Sequence, residues 1–180
     1  MHIDQHWLSG ADHIASPNFD ERPIADDISL IVVHCISLPP GEFGNSFIND
    51  LFCNRLNPEG HPYFKEIYQL KVSSHLLIKR TGDIVQYVPF DKRAWHAGVS
   101  NYEGRERCND FSIGIELEGT ESNPYTEVQY RQLGIITNML LTAYPKLARE
   151  RITGHNNIAP GRKTDPGESF DWKKFYSLLE

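Results

Sequence analysis

The chain has 180 residues, of which 39% are hydrophobic and 23% are charged, a composition typical of a globular protein and not of a disordered one. Its length fits a single domain covering residues 1–180. The formal net charge of -6 argues against a nucleic-acid partner that would be bound by neutralising its phosphates.

The sequence also lacks the marks of a membrane or exported protein. No stretch approaches the roughly 20 apolar residues that a membrane span needs, and the first residues show no basic and apolar signal-peptide pattern. The cysteines are odd in number and form no CxxC pair, which favours a reducing compartment. We therefore expect a soluble, cytoplasmic protein.

The first half of the chain predicts a buried strand, a helix and a hairpin. Residues 1–27 are polar and are expected to wrap irregularly over the surface. Residues 28–33 form a β-branched apolar run, typical of a central strand that ends at His34. Apolar residues at helical spacing predict a short helix over 46–56. The β-rich runs 72–78 and 84–88 flank a glycine-containing turn, so they predict a hairpin.

The second half predicts an alternating strand and two helices. Residues 91–98 read as a loop, and residues 111–119 alternate so that Gly114 and Glu116 share one face of a strand. Thr126 and Gln129 form a capping box at the start of a helix that Pro145 ends. A last helix is predicted over 171–179, with Asp171 near its cap and an apolar face turned inward.

Residues 153–167 concentrate the chemistry of the chain. They show no helical or strand period, so they predict a loop, which glycine and proline punctuate. His155 and Asp165 in this loop could share one Zn²⁺ with His34, and three protein ligands would leave a position for water. On the residues alone, however, His34 fits a buried core histidine better, and Glu116 fits a solvent-facing strand position.

Several segments resemble the type-2 N-acetylmuramoyl-L-alanine amidases. Within the family, the chain is more similar to the cytoplasmic members, which act on 1,6-anhydro-N-acetylmuramyl peptides from wall recycling. It runs from the first predicted strand to the C-terminal helix, and it rests on segments 32–34, 39–44, 85–100, 104–119 and 154–167. Each motif alone is modestly specific, whereas together they are highly specific.

The resemblance implies an α/β fold in which α-helices pack on a mixed sheet, as in peptidoglycan-recognition proteins. It places His34, His155 and Asp165 on the family's zinc ligands, Glu116 on its catalytic acid/base and Lys163 on its second catalytic residue. The implied reaction is hydrolysis of the amide between the lactyl group of the muramyl sugar and L-alanine. The substrate would be a small-molecule muropeptide, and we expect a monomer without a nucleic-acid or membrane partner.

Four further residues are candidates for substrate contact. Arg107 and Arg162 could pair with peptide carboxylates or sugar oxygens, and Trp95 could pack on a sugar face. Lys71 stands where the family often has arginine.

Two alternatives to a recycling amidase remain open. One is a peptidoglycan-binding module of the same fold that does not cleave, although such a module need not keep all five ligand and catalytic residues. The other is an amidase that attacks intact murein outside the cell, against which the missing export signal counts.

Overall fold

The computed structural model describes all residues from 1 to 180 and contains twelve strands and five α-helices. The strands are β1 (Ile3–Asp4), β2 (Trp7–Leu8), β3 (Asp12–His13), β4 (Phe19–Glu21), β5 (Leu30–Ile36), β6 (Leu76–Ile78), β7 (Ile84–Gln86), β8 (Lys92–Ala94), β9 (Asn101–Tyr102), β10 (Arg105–Glu106), β11 (Ser112–Glu118) and β12 (Ile152–Gly154). The helices are α1 (Phe47–Phe52), α2 (Phe64–Ile67), α3 (Glu127–Ala143), α4 (His155–Ile158) and α5 (Trp172–Ser177). None of these helices has the length and apolar character needed to span a membrane.

A mixed sheet of six strands lies at the centre of the fold, in the order β12-β5-β11-β6-β7-β3. β12, β5, β11 and β6 run parallel, β6 and β7 form an antiparallel hairpin, and β3 pairs in parallel with β7. The sheet and its helices confirm the α/β class expected from the sequence.

Helices and loops cover both faces of the sheet. Ile113 and Ile115 of β11 point to the face on which α3 and α5 pack, where they join the largest apolar cluster with Leu133. The opposite face is covered near β6 and β7 by α1 and α2. Because β11 is covered on both sides, all seven of its residues are buried, including polar ones. Glu116 therefore does not face solvent.

Several predicted elements are confirmed, with shorter bounds. The helix predicted over 46–56 is α1, and the hairpin pairs Leu76 with Gln86 and Ile78 with Ile84. Thr126 caps α3 as expected, since its hydroxyl accepts from the Gln129 N–H at 3.2 Å while its own N–H donates to the Gln129 side chain at 3.0 Å.

Three predictions about backbone structure were wrong. Residues 153–167 are not a simple loop, because they contain the end of β12 and all of α4. β5 does not end at His34 but continues to Ile36. Residues 1–27 and 91–98 contain short strands, of which β4 pairs with β8. The missed elements are two to four residues long, too short to show a period.

The buried carboxylate of Glu118 joins two loops to the end of β11. Its Oε1 accepts the Gly44 N–H at 2.6 Å, and its Oε2 accepts the Arg80 N–H at 3.0 Å. The first of these loops leads towards α1, and the second is the turn between β6 and β7. The carboxylate therefore satisfies two backbone donors at once.

We expect Glu118→Gln to destabilise the protein by about 1–3 kcal/mol, because the amide can accept only one of these N–H groups and leaves a buried donor unpaired. Urea unfolding would measure the change in the free energy of unfolding. Glu66→Gln, at an exposed position of α2, is the matched control and should stay within about 0.5 kcal/mol of the wild type. A Glu118→Gln protein as stable as that control would contradict this account of the two loops.

Candidate active site

The register of the parallel strands brings three residues of the predicted site together. Glu116 of β11 lies directly beside His34 of β5. On the other side of β5, Gly154 at the end of β12 pairs with Val33. His155 is the next residue and begins α4, so it emerges at the level of His34. Residues far apart in sequence therefore meet near the carboxyl end of three neighbouring strands.

His34, His155 and Asp165 converge on one point. His34 Nδ1 lies 3.0 Å from His155 Nδ1 and 3.0 Å from Asp165 Oδ2, and His155 Nδ1 lies 3.1 Å from the same oxygen. The three residues are buried, with exposures of 1%, 3% and 9%. They form a group of side chains that could hold a metal ion.

The chemistry of this donor set fits a divalent metal. Three lone-pair atoms about 3 Å apart repel one another unless a proton or a cation lies between them. The spacing is close to the roughly 3.3 Å that separates the ligands of a tetrahedral zinc with bonds of about 2.0 Å. His155 Nε2 lies 3.0 Å from the Ala97 carbonyl, which can only accept, so this nitrogen carries the proton and Nδ1 is left free to bind metal.

Backbone contacts fix Asp165 beside His155. The Asn156 N–H donates to the Asp165 carbonyl at 2.9 Å, which ties the segment after α4 back to the helix start. The buried Tyr125 hydroxyl donates to the Pro166 carbonyl at 2.7 Å. The two ligand candidates are thereby held together although nine residues separate them.

The protonation of the group suits metal binding. Burial lowers the pKa of His34 to about 4, although the hydrogen bond with Asp165 acts in the opposite direction. Burial acts to raise the pKa of Asp165, but hydrogen bonds with His155 and His34 outweigh it and leave the pKa below its usual value. At neutral pH His34 is therefore uncharged and Asp165 is ionised, the states in which both bind metals.

Glu116 combines burial with a free oxygen. It is 8% exposed, and its Oε2 has no hydrogen-bond partner. Burial raises the pKa of Glu116 well above its usual value, the Asp165 charge raises it further, and Lys163 lowers it. A carboxyl group with a raised pKa is suited to exchanging protons near neutral pH. Lys163 itself is exposed and lines the same cavity.

The raised pKa of Glu116 predicts a pH-dependent cost in stability. Because the fold favours the protonated form, the cost is absent below the ordinary carboxyl range and grows as pH rises. In metal-free protein, Glu116→Gln should therefore raise the melting temperature at pH 8, and the gain should vanish near pH 4. Thermal unfolding of the chelator-treated proteins across this range would measure it. A metal-free Glu116→Gln protein that is less stable than the metal-free wild type at pH 8 would contradict a raised pKa for Glu116.

The five predicted ligand and catalytic residues line one cavity of about 510 Å³. The segment 38–72 also lines this cavity and contributes mainly apolar side chains, including Leu38, Phe52, Tyr63 and Ile67. The cavity thus combines polar, charged side chains with apolar ones. Such a site suits a ligand with a polar reacting group and an apolar face.

Of the four residues predicted to contact substrate, only Trp95 lines this cavity. Its indole N–H donates to Asp20 at 3.1 Å, which fixes the ring in the wall. Arg107 and Arg162 line a separate surface pocket, and Lys71 is exposed on the segment between α2 and β6. For all four residues, contact with substrate stays a prediction.

A third histidine at the site, His96, contacts His34, and this contact was not predicted from the sequence. His96 Nδ1 lies 2.9 Å from His34 Nε2, and the His96 ring fills the space over Gly114. A Cβ atom at Gly114 would stand 2.5 Å from His96 Cγ. A glycine inside an apolar strand was the available signal, and the neighbour for which it makes room proved to be an imidazole.

Comparison with known proteins agrees with this geometry. Residues 24–168 match the family model described as N-acetylmuramoyl-L-alanine amidase. The chain is 60% identical over 179 residues to the 1,6-anhydro-N-acetylmuramyl-L-alanine amidase AmpD of Citrobacter freundii, covering 99% of this chain and 95% of that protein.

Solved structures show the same similarity. A selenomethionine derivative of AmpD superposes with a TM-score of 0.98 at 60% identity and full coverage of both chains. AmiD from E. coli, solved with anhydro-N-acetylmuramic acid-L-Ala-D-γ-Glu-L-Lys as its substrate, gives a TM-score of 0.62 at 27% identity. That match covers 88% of this chain and 60% of AmiD.

Proposed function

The chain belongs to the N-acetylmuramoyl-L-alanine amidase family, and from this membership we propose that it is a zinc-dependent hydrolase of 1,6-anhydro-muropeptides. The bond cleaved is the amide between the lactyl group of the sugar and L-alanine. The observation that carries the zinc dependence is the convergence of His34, His155 and Asp165 at 3.0–3.1 Å. We place the reaction in the cytoplasm, in the recycling of wall fragments, with the protein as a monomer.

Bound zinc would polarise the amide carbonyl and lower the pKa of a water molecule towards about 7. Glu116, whose side chain lines the cavity, takes a proton from the attacking water and then delivers it to the leaving amine. Lys163 places a positive charge on the same wall and stabilises the negative charge that develops on the carbonyl oxygen. Trp95 and the apolar side chains of segment 38–72 that line the cavity hold the sugar and the peptide.

The full set of residues favours an enzyme over a binding module. A protein that only binds wall fragments has no need of an unpaired buried carboxylate, which costs stability. Here Glu116 keeps such a group beside three converging ligand candidates. A proton-transfer step requires this combination of residues, whereas binding alone does not.

The proposal is tested by offering the purified protein anhydro-N-acetylmuramic acid-L-Ala-D-γ-Glu-L-Lys, the substrate in the AmiD complex. Mass spectrometry should detect release of the free tripeptide, and a zinc chelator should stop it. Intact murein and a muropeptide with a reducing sugar are the comparison substrates, and both should react more slowly. Faster cleavage of intact murein would instead support a wall-lytic amidase.

Lys163→Met is expected to lower kcat on the order of 100-fold while leaving zinc content and KM nearly unchanged. The reason is that the ammonium acts mainly on charge that develops in the transition state. Lys163 is exposed, so the variant should fold normally. Lys163→Arg keeps the charge and should retain more activity. Steady-state kinetics of both variants would measure this, and equal losses would contradict a role for the charge.

A further inference from the structure

The short segment 95–97 contacts both histidines at the proposed metal site through their outer ring nitrogens, the Nε2 atoms that do not face the metal position. His34 Nε2 lies 2.9 Å from the side chain of His96, and His155 Nε2 lies 3.0 Å from the main-chain oxygen of Ala97. These two contacts come from adjacent residues that follow β8. The segment is therefore in a position to orient both rings at once.

The segment is itself held by hydrogen bonds with three other residues. The amide oxygen of Asn109 accepts the His96 N–H at 3.2 Å and the Ala97 N–H at 2.8 Å. On the preceding residue, the Trp95 N–H donates to the Ser73 hydroxyl at 3.0 Å, and the Ser73 N–H donates to the Trp95 carbonyl at 3.1 Å. Arg162 also donates to the Ala97 carbonyl, at 2.7 Å. The backbone over 95–97 is thus fixed from three directions.

The His96 ring has a defined place and a second partner. It lies over Gly114, where no side chain intervenes, and its Nε2 lies 3.1 Å from the Ser112 hydroxyl. If His34 binds a metal through Nδ1, its Nε2 must carry the proton and donate it to His96 Nδ1. His96 then carries its own proton on Nε2 and donates to Ser112.

We propose that His96 and the Ala97 carbonyl, held by Asn109, are the positioning elements that fix the tautomers of His34 and His155 and so set the affinity of the site for zinc. This inference rests on the metal site proposed above. Groups that hydrogen-bond to the outer nitrogen of a histidine ligand fix its orientation, and losing one typically costs about 10- to 100-fold in metal affinity. Neither His96 nor Ala97 belongs to the group of residues that could hold the metal.

The test uses two variants of equal shape. In His96→Asn the side-chain oxygen stands where Nδ1 stood and can still accept from His34, whereas His96→Leu has the same branched shape without an acceptor. Competition with a chelator would measure zinc affinity, and unfolding of the metal-free proteins would show that both fold. We expect His96→Leu to weaken zinc binding about 10- to 100-fold and His96→Asn to recover most of that loss.

Asn109 offers a second matched pair. Asn109→Asp keeps an oxygen for the two N–H groups, and Asn109→Leu removes it. The same assay should therefore show weaker zinc binding for Asn109→Leu than for Asn109→Asp. If His96→Leu bound zinc as tightly as His96→Asn, and Asn109→Leu as tightly as Asn109→Asp, the positioning role of His96 and Asn109 would be overturned. This holds whether the two members of a pair match the wild type or both bind zinc more weakly.

Nitrogen NMR of the zinc-loaded wild type provides a readout that needs no substitution. The histidine tautomers should show the proton on Nε2 of His34, His155 and His96. A proton on His96 Nδ1 would overturn the proposal. A wild-type protein that binds no zinc would overturn both the metal site and this inference, whereas tight wild-type binding with unaffected variants would overturn this inference alone.

Discussion

Replacing Glu116 by glutamine is expected to lower kcat by about 10²- to 10⁴-fold and to leave zinc bound. General acid–base groups contribute rate factors of this size, and the amide cannot take a proton from water or deliver one to the amine. The substitution keeps the size of the side chain, and Glu116 is not one of the three converging ligand candidates. Peptide release and metal content, measured on the same samples, would separate the catalytic step from metal binding.

The control for this variant is Glu66→Gln, which makes the same chemical change at an exposed position of α2 and should keep the wild-type rate. A second check is the pH profile of kcat. In the wild type, kcat should change with pH as Glu116 ionises, and this change should be absent from the profile of Glu116→Gln. If Glu116→Gln retained a rate within about threefold of the wild type, a different base would be required.

Asp165→Asn is expected to lower zinc affinity by more than about 100-fold and to abolish peptide release at ordinary zinc concentrations. The loss of an outer group that only supports a ligand typically costs about 10- to 100-fold, so the loss of a charged ligand should cost more. Asp165 Oδ2 lies 3.0 Å from His34 Nδ1 and 3.1 Å from His155 Nδ1, so its negative charge is placed to stabilise a cation bound between the three groups. Equilibrium dialysis against zinc, with activity measured at each concentration, would test this expectation.

Glu168→Gln is the matched control for Asp165→Asn. It removes one negative charge from the same segment, but Glu168 is exposed and belongs to no group of metal-ligand candidates. Its zinc affinity should stay close to that of the wild type. Partial recovery of Asp165→Asn activity at high zinc would agree with a ligand role. Tight zinc binding by Asp165→Asn would show that Asp165 is not a ligand.

The convergence of the site could be predicted from the sequence only through the family resemblance. His34 and His155 are 121 residues apart, and nothing in their local patterns indicates that they meet. They meet because β12 pairs in parallel with β5, and Glu116 joins them because β11 pairs with the other side of β5; both pairings depend on contacts distant in sequence. Strand existence was predictable from apolar runs, whereas strand order and register were not.

The elements that were missed are those with the least local signal. A three-residue strand followed by a four-residue helix over 152–158 carries too few residues for either period to show. The role of Gly114 was predicted only in part, because the face was right but the ring that occupies it comes from a distant loop. Conversely, the capping box of α3 was predictable because its two partners are three residues apart.

The most direct test of the central claim is a zinc titration of the metal-free wild-type protein, with release of the tripeptide followed at each step. The account predicts that activity is absent without metal and rises linearly until one zinc is bound per chain. It also predicts that Glu116→Gln binds one zinc with similar affinity and stays inactive. Peptide release by protein shown to be metal-free, or saturation at a stoichiometry other than one, would contradict the assignment of His34, His155 and Asp165 as the catalytic metal site.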